Sequence, residues 1–172
     1  MSPPVPLPEI ARYVLVSILT IVLVWAAISD VIARRIPNAS VLAILGLFVF
    51  WAGFERGAGL GSQLAAAGIV FVVGYGLYAL NVMGAGDVKL FAATALFMGT
   101  SHLPEFALAT VWTGGLMAIV SLASRPRRAL VMLNLRGKGD FGRGIPYGVA
   151  IGVGGIVVLW GHLTGWLPLS GS

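Results

Sequence analysis

Long apolar runs separated by short polar breaks recur along the whole 172-residue chain. A helix needs about 20 apolar residues to cross a hydrocarbon layer about 30 Å thick. With 58% hydrophobic and 10% charged residues, the sequence carries more apolar surface than a water-soluble core of this size can bury. Residues 1–172 are therefore predicted to form a single all-α domain that lies in a lipid bilayer.

Six membrane crossings are predicted from these runs, at residues 10–28, 39–54, 63–82, 88–103, 106–123 and 147–167. The fourth run is marginal in length, and charge decides whether it crosses. If it does, nine of the eleven basic residues lie on one side, which the positive-inside tendency assigns to the cytoplasm. Both termini then lie outside, residues 1–9 form an extended, proline-rich tail, and residues 124–146 form a basic cytoplasmic loop.

Several classes of site are not expected. The chain has no cysteine, which excludes disulfides and thiolate metal sites. The net charge of +5 does not indicate nucleic-acid binding, because basic residues in so apolar a chain usually set membrane orientation. His102 and His162 fall toward the outer ends of predicted crossings and are interpreted as structural, so no metal and no cofactor are expected.

The sequence contains six acidic residues, and four of them can be solvated. These are Glu9, Glu55 and Glu105, at outer ends of predicted crossings, and Asp140, in the basic loop. The other two, Asp30 and Asp87, lie at the cytoplasmic ends of apolar runs. A carboxylate in such a position is costly unless it is paired or used in function.

Two interpretations of this pair are open. In the structural one, Asp30 pairs with Arg34 or Arg35, and Asp87 pairs with Lys89 or caps the next helix. In the functional one, the two carboxylates face each other, share a proton, and divide the acid and base roles of a hydrolysis between them. Such a pair titrates as a unit, so neither role is assigned to either residue.

Three short motifs resemble those of one family. Gly84-Ala85-Gly86-Asp87 resembles the GxGD motif of membrane aspartic peptidases, in the form found in prepilin peptidases. Asp30, with the following Arg34-Arg35-Ile36-Pro37-Asn38, is similar to the first catalytic aspartate of that family and the I-P-N break after it. The segment at residues 144–150, GIPYGVA, is similar to the opening of its last helix, where Gly148 and Gly152 form a GxxxG pair suited to close helix contact.

The resemblance implies an aspartic endopeptidase of the bacterial inner membrane, with its active site at the cytoplasmic face. Its substrates would be type IV prepilins or pilin-like membrane proteins, which lose a basic cytoplasmic leader by two-aspartate activation of water. Asp30 and Asp87 are the expected catalytic residues, with Asp140 as a minor alternative to one of them. Gly84 and Gly86 are expected to receive the unwound substrate backbone, because glycines leave space beside Asp87. Lys89 either steadies negative charge near the pair or extends to the interface, and the second role is preferred.

Larger prepilin peptidases carry paired Cys-x-x-Cys motifs and also methylate the new N-terminus. Because this chain lacks cysteine, it resembles the short, peptidase-only form associated with tight-adherence (Flp-type) pili, and methyl transfer is not favoured. The alternatives are an ion- or proton-coupled transporter that uses the same carboxylates, and a noncatalytic assembly partner. A transporter is disfavoured because neither acid is central in its crossing and no internal repeat is evident. The oligomeric state is not indicated by the sequence.

Overall fold

The computed structural model describes residues 9–54, 57, 59–124 and 146–166. Across these residues the chain forms helices and no strand, which confirms the predicted all-α class. The helices are α1 (Glu9–Ala33), α2 (Asn38–Phe54), α3 (Leu60–Ala79), α4 (Ala85–Ala95), α5 (Gly99–Ser124) and α6 (Tyr147–Leu163). Nearly all of the predicted N-terminal tail and basic loop, together with Glu55 and Asp140, lies outside the described residues.

Helix length and surface composition agree with a bilayer environment. Three helical stretches are long and apolar enough to cross a membrane: Ile10–Ala33, Leu60–Ala79 and Gly99–Ser121. Helices α2 and α6 are apolar but only 17 residues long. Large apolar side chains are exposed on the bundle surface, for example Val72 at 69% and Trp112 at 77%. Lipid solvates such a surface far better than water does, so the protein is a membrane protein.

The fourth predicted crossing differs from the structure. Helix α4 has 11 residues and is about 16 Å long, too short to cross a bilayer by itself. A turn at residues 96–98 follows it, and α5 begins at Gly99, whose φ of 62° lies in the left-handed region that glycine adopts readily. The break predicted between residues 103 and 106 therefore lies at residues 96–98. Hydropathy could not locate it, because apolar side chains continue through the turn.

Helix packing puts α4 at the centre of the bundle. Helix α6 packs against α1 and α5, and α3 packs against α4 and α5. Helix α4 contacts α2, α3, α5 and α6, and its buried side chains include Val88 and Leu90. Its first turn is therefore held by the surrounding helices, close to the residues that follow α1 and to the start of α6.

The GxxxG pair of α6 lies against α1; close helix contact was predicted for this pair, but its partner helix was not. A Cβ atom added at Gly152 would be 3.4 Å from the carbonyl oxygen of Leu23 in α1. One added at Gly148, a turn earlier, would be 2.8 Å from Oδ2 of Asp30. The missing side chains therefore let the two helices approach closely along the stretch that ends at Asp30.

Candidate active site

Asp30 lies near the end of α1 and is only 8% exposed. Its Oδ2 accepts a 2.8 Å hydrogen bond from the backbone N–H of Gly148, the second residue of α6. The first N–H groups of a helix have no partner within the helix, and its N-terminus favours a negative charge. The start of α6 therefore fixes one oxygen of Asp30 and compensates part of the cost of burying it.

The space beside Asp30 admits only glycine at position 148. An added Cβ would lie 3.1 Å from both Cβ and Cγ of Asp30, in addition to its close contact with Oδ2. Any side chain would thus push the carboxylate away from the helix end. The third sequence motif was predicted to open the last helix, but this direct contact with Asp30 was not predicted.

Asp87 is the third residue of α4 and is 9% exposed. Its Oδ2 accepts a 3.2 Å hydrogen bond from the N–H of Gly84, the residue that caps the helix. Its Oδ1 is buried and has no hydrogen-bond partner in the part of the chain that the structure describes. A buried carboxylate oxygen without a partner is costly, so this atom is the group of the site with unused capacity to bind a proton, a water molecule or a substrate.

Both glycines of the GxGD segment make room for a neighbour. A Cβ at Gly84 would be 2.8 Å from Oδ2 of Asp87, and one at Gly86 would be 3.3 Å from Cβ of Ile36. Gly84 has φ −74° and ψ 148°, which any residue can adopt, so the need for glycine there comes from contact and not from backbone strain. The close approach of Gly86 to Ile36 brings the segment after α1 against the start of α4.

The two aspartates line one open cavity of about 630 Å³. Residues from all three motifs form its wall: Asp30, Arg34, Arg35, Ile36, Pro37, Asn38, Gly84, Ala85, Gly86, Asp87, Lys89 and Pro146. All five predicted site residues are therefore brought together. The cavity combines two carboxylates with three basic side chains, which suits a substrate segment that carries both polar backbone groups and charge.

The two carboxylates are close enough to interact electrostatically. Asp87 precedes the predicted fourth crossing and lies outside the three long apolar stretches. Burial, followed by the charge of Asp30, raises the pKa of Asp87 to about 7, and the hydrogen bond from Gly84 opposes this rise. Near neutral pH the pair can therefore hold one proton between two carboxylates.

Lys89 is exposed and also lines a second, apolar groove of about 360 Å³. The groove lies between α2, α3 and α4, and its other walls come from Val41, Leu45, Ala67, Gly68, Phe71, Ala92, Ala93 and Leu96. Because Lys89 belongs to both walls, the groove adjoins the cavity that holds the aspartates. This adjoining groove was not predicted from the sequence, since it depends on how the helices pack.

The sequence profile of the type IV leader peptidase family matches residues 17–119 of the chain, which is more than half of its length. The chain belongs to the type IV leader peptidase family. Membership makes it a peptidase whose substrates are prepilins in general, and it confirms the resemblance to prepilin peptidases. The matched range includes Asp30 and Asp87 but ends before Gly148. Comparisons with curated proteins and with solved structures found no match.

Proposed function

We propose that this leader peptidase is an aspartic endopeptidase in which Asp30 and Asp87 together activate the water that cleaves a prepilin leader. The observation that carries the proposal is that both carboxylates line one cavity, while Oδ1 of Asp87 is buried without a hydrogen-bond partner among the described residues. A structural carboxylate would be expected to satisfy both oxygens when buried. Gly148 holds one oxygen of Asp30, and Gly84 holds one oxygen of Asp87. The other oxygen of each residue is the one that we propose takes part in the reaction.

The proposed reaction uses one proton shared by the pair. The ionised carboxylate takes a proton from water as the water oxygen attacks the scissile carbonyl carbon, and the protonated carboxyl donates its proton to the carbonyl oxygen. A proton then passes to the amide nitrogen, the C–N bond breaks, and the pair returns to its singly protonated state. Neither aspartate is assigned as the acid or the base, because a coupled pair titrates as one unit. No metal is used in this scheme.

Six membrane crossings are the proposed topology, with the fourth formed by α4 together with the turn at residues 96–98 that follows it. Both termini would lie outside, and the aspartates would lie at the cytoplasmic face of the bacterial inner membrane. Arg34, Arg35 and Lys89 line the same cavity as the aspartates, and basic residues are enriched on the cytoplasmic side of membrane proteins. That location suits a leader that lies in the cytoplasm, just outside the bilayer. We also propose that the protein is a peptidase of tight-adherence pili that does not transfer methyl groups, because the sequence contains none of the Cys-x-x-Cys motifs of the larger enzymes.

We propose that the groove that adjoins the cavity binds the apolar transmembrane helix of the substrate, called its apolar stem below. Its lining is almost entirely apolar, it opens beside exposed lipid-facing side chains such as Phe71, and it meets the cavity at Lys89. A pilin helix in the groove would put the segment just beyond its stem next to the aspartates. The backbone there would lie unwound against Gly84 and Gly86, and Lys89 would stay at the interface between the apolar groove and the polar cavity.

The test is cleavage of a leader-bearing prepilin by the purified protein in lipid nanodiscs, followed by mass spectrometry. Asp30→Asn and Asp87→Asn should each abolish the shortened product, while the variants insert and accumulate like the wild type. Glu105→Gln is the control, because it neutralises a described acid that does not line the cavity, and it should still cleave. Retained cleavage in either site variant would remove the two-aspartate assignment. A transporter or a noncatalytic assembly partner would yield no shortened product at all. Methyl transfer would replace one hydrogen of the new N-terminus with a methyl group and so raise the mass of the product by about 14 Da.

A further inference from the structure

Two histidines and a glutamate meet at the end of the bundle opposite to the aspartates. His102 and Glu105 lie one turn apart in α5, and His162 lies in the last turn of α6. Gly148, the second residue of α6, contacts Asp30. At 1.5 Å per residue, His162 lies about 21 Å from Gly148 along that helix. The ring centroids of the two histidines are 3.8 Å apart. Two residues expected to be separate and structural therefore form one group with Glu105.

One carboxylate oxygen faces both imidazoles. Nε2 of His162 is 2.6 Å from Oε2 of Glu105, and Nδ1 of His102 is 3.5 Å from the same oxygen. Nδ1 of His102 is buried and has no hydrogen-bond partner within the described parts of the chain, and the same is true of Nδ1 of His162. A buried nitrogen without a partner is costly, so the group has more ligating atoms than its internal hydrogen bond uses.

The separations suit a small divalent cation. One ligand atom from each residue can be chosen so that all three lie within 4.8 Å of one another. Tetrahedral Zn²⁺ with bonds of about 2.0–2.1 Å holds its ligand atoms about 3.4 Å apart. The His102 to Glu105 separation of 3.5 Å already fits this geometry, and the His162 to Glu105 hydrogen bond would have to open by less than 1 Å. Imidazole nitrogens with a carboxylate form a ligand set that Zn²⁺ commonly takes.

We propose that His102, Glu105 and His162 bind a zinc-type divalent metal ion that ties α5 to α6. Two ligands come from the start of α5 and the third from the end of α6, so the ion cross-links two packed helices at the end away from the cavity. Three protein ligands leave a fourth position for water. This metal site lies outside the two-aspartate chemistry and does not depend on it.

The experiment is zinc titration of the full-length protein in nanodiscs, purified with a tag that contains no histidine and stripped with a chelator. The wild type should bind one Zn²⁺ per chain, and bound metal should raise the melting temperature because it binds only the folded form. His102→Gln, His162→Gln and Glu105→Gln should each weaken binding by tenfold or more. The Asp30→Asn, Asp87→Asn double variant should bind Zn²⁺ like the wild type, which keeps this result independent of the cleavage result.

X-ray absorption at the zinc edge of the wild-type complex gives a second measurement that needs no variant. The chain has only two histidines, so a count of two imidazole ligands identifies the site even if a substituted protein fails to fold. Absence of stoichiometric Zn²⁺ binding by the wild type, unchanged affinity in the histidine variants, or loss of binding in the double aspartate variant would each overturn the metal site.

Discussion

The backbone N–H of Gly148 donates a 2.8 Å hydrogen bond to Oδ2 of Asp30, across 118 positions of sequence. This bond joins the end of α1 to the start of α6. The donor is a backbone group, so its own residue type does not supply the hydrogen bond. The sequence contributes by having glycine at position 148, because any side chain there would collide with Asp30. The geometry of Asp30 therefore depends on the close packing of two helices as well as on the aspartate itself.

Gly148→Ala should lower kcat/KM for leader cleavage without preventing insertion. The new Cβ would force Asp30 away from the helix end and weaken its hydrogen bond, and a hydrogen bond to a charged group contributes about 1.5–3 kcal/mol, roughly a ten- to hundredfold effect on rate. Gly46→Ala in α2 is the matched control, since an added Cβ there meets nothing within 4 Å. Equal activity of the two variants would contradict the positioning role of Gly148.

Gly84→Ala is expected to separate activity from stability. Its Cβ would meet only the end of the Asp87 side chain, at 2.8 Å from Oδ2, and no backbone atom, so rotation of the carboxylate can relieve the contact at little cost to folding. Rotation would nevertheless disturb the hydrogen bond that orients Asp87, and cleavage should fall by about tenfold or more. Thermal unfolding and initial cleavage rates measure the two effects separately, with Gly53→Ala as the control. A large fall in melting temperature with normal cleavage would refute the prediction.

The sequence predicts the polar part of the site better than its packing. Asp30 and Asp87 stand out because a carboxylate beside an apolar run is costly unless it is paired or used in function. The motifs around them identify the neighbours that line the cavity. Gly86 could be recognised from the motif, but its partner Ile36 could not, because that contact joins α4 to the segment after α1.

The same limit applies to the helices. Apolar length locates α2 to within one residue and α1 and α3 to within about five residues at their ends, since a helix in lipid must be apolar along its length. It misplaces the boundary between α4 and α5, because α4 is covered by other helices and needs no full crossing length. The contact between His102 and His162 was missed for a related reason: residues from two helices meet there only after α5 and α6 pack, and the only local signal was the spacing of His102 and Glu105 along one helix face.

Cleavage should decline as pH rises above neutrality. The pKa of Asp87 is raised from 3.8 to about 7, which is the pH near which the coupled pair loses its shared proton. Because the proposed reaction needs one proton on the pair, the rate constant should fall by about tenfold per pH unit once the pH is well above this pKa. Single-turnover cleavage in nanodiscs from pH 5.5 to 9 measures the profile, with far-UV circular dichroism to show that the fold persists. A rate constant that stays level or rises up to pH 9 would exclude the shared proton.

Filling the apolar groove should weaken binding of the membrane substrate alone. Gly68 lines the groove, and an added Cβ there meets nothing within 4 Å, so Gly68→Leu occupies the groove without a clash at its base. KM for full-length prepilin should rise several-fold, whereas cleavage of a soluble leader peptide without the apolar stem should be unchanged. Gly76→Leu, in the same helix but outside the groove, is the matched control. An equal effect on both substrates would place the stem elsewhere.

A packing defect beside Asp87 should be reversible by a second substitution. In Gly74→Ala, the new Cβ would lie 2.9 Å from Cγ1 of Val88, which directly follows Asp87 in α4. Overpacking of this kind costs about 1–3 kcal/mol, and here it would displace α4 and lower cleavage as well as stability. Val88→Ala removes the two Cγ atoms and leaves only Cβ, which is 3.5 Å from the new methyl group in the unshifted structure and thus in ordinary contact. The double variant should therefore melt at a higher temperature and cleave faster than Gly74→Ala alone. If it is no better than the single variant, the contact between α3 and α4 does not control the position of Asp87.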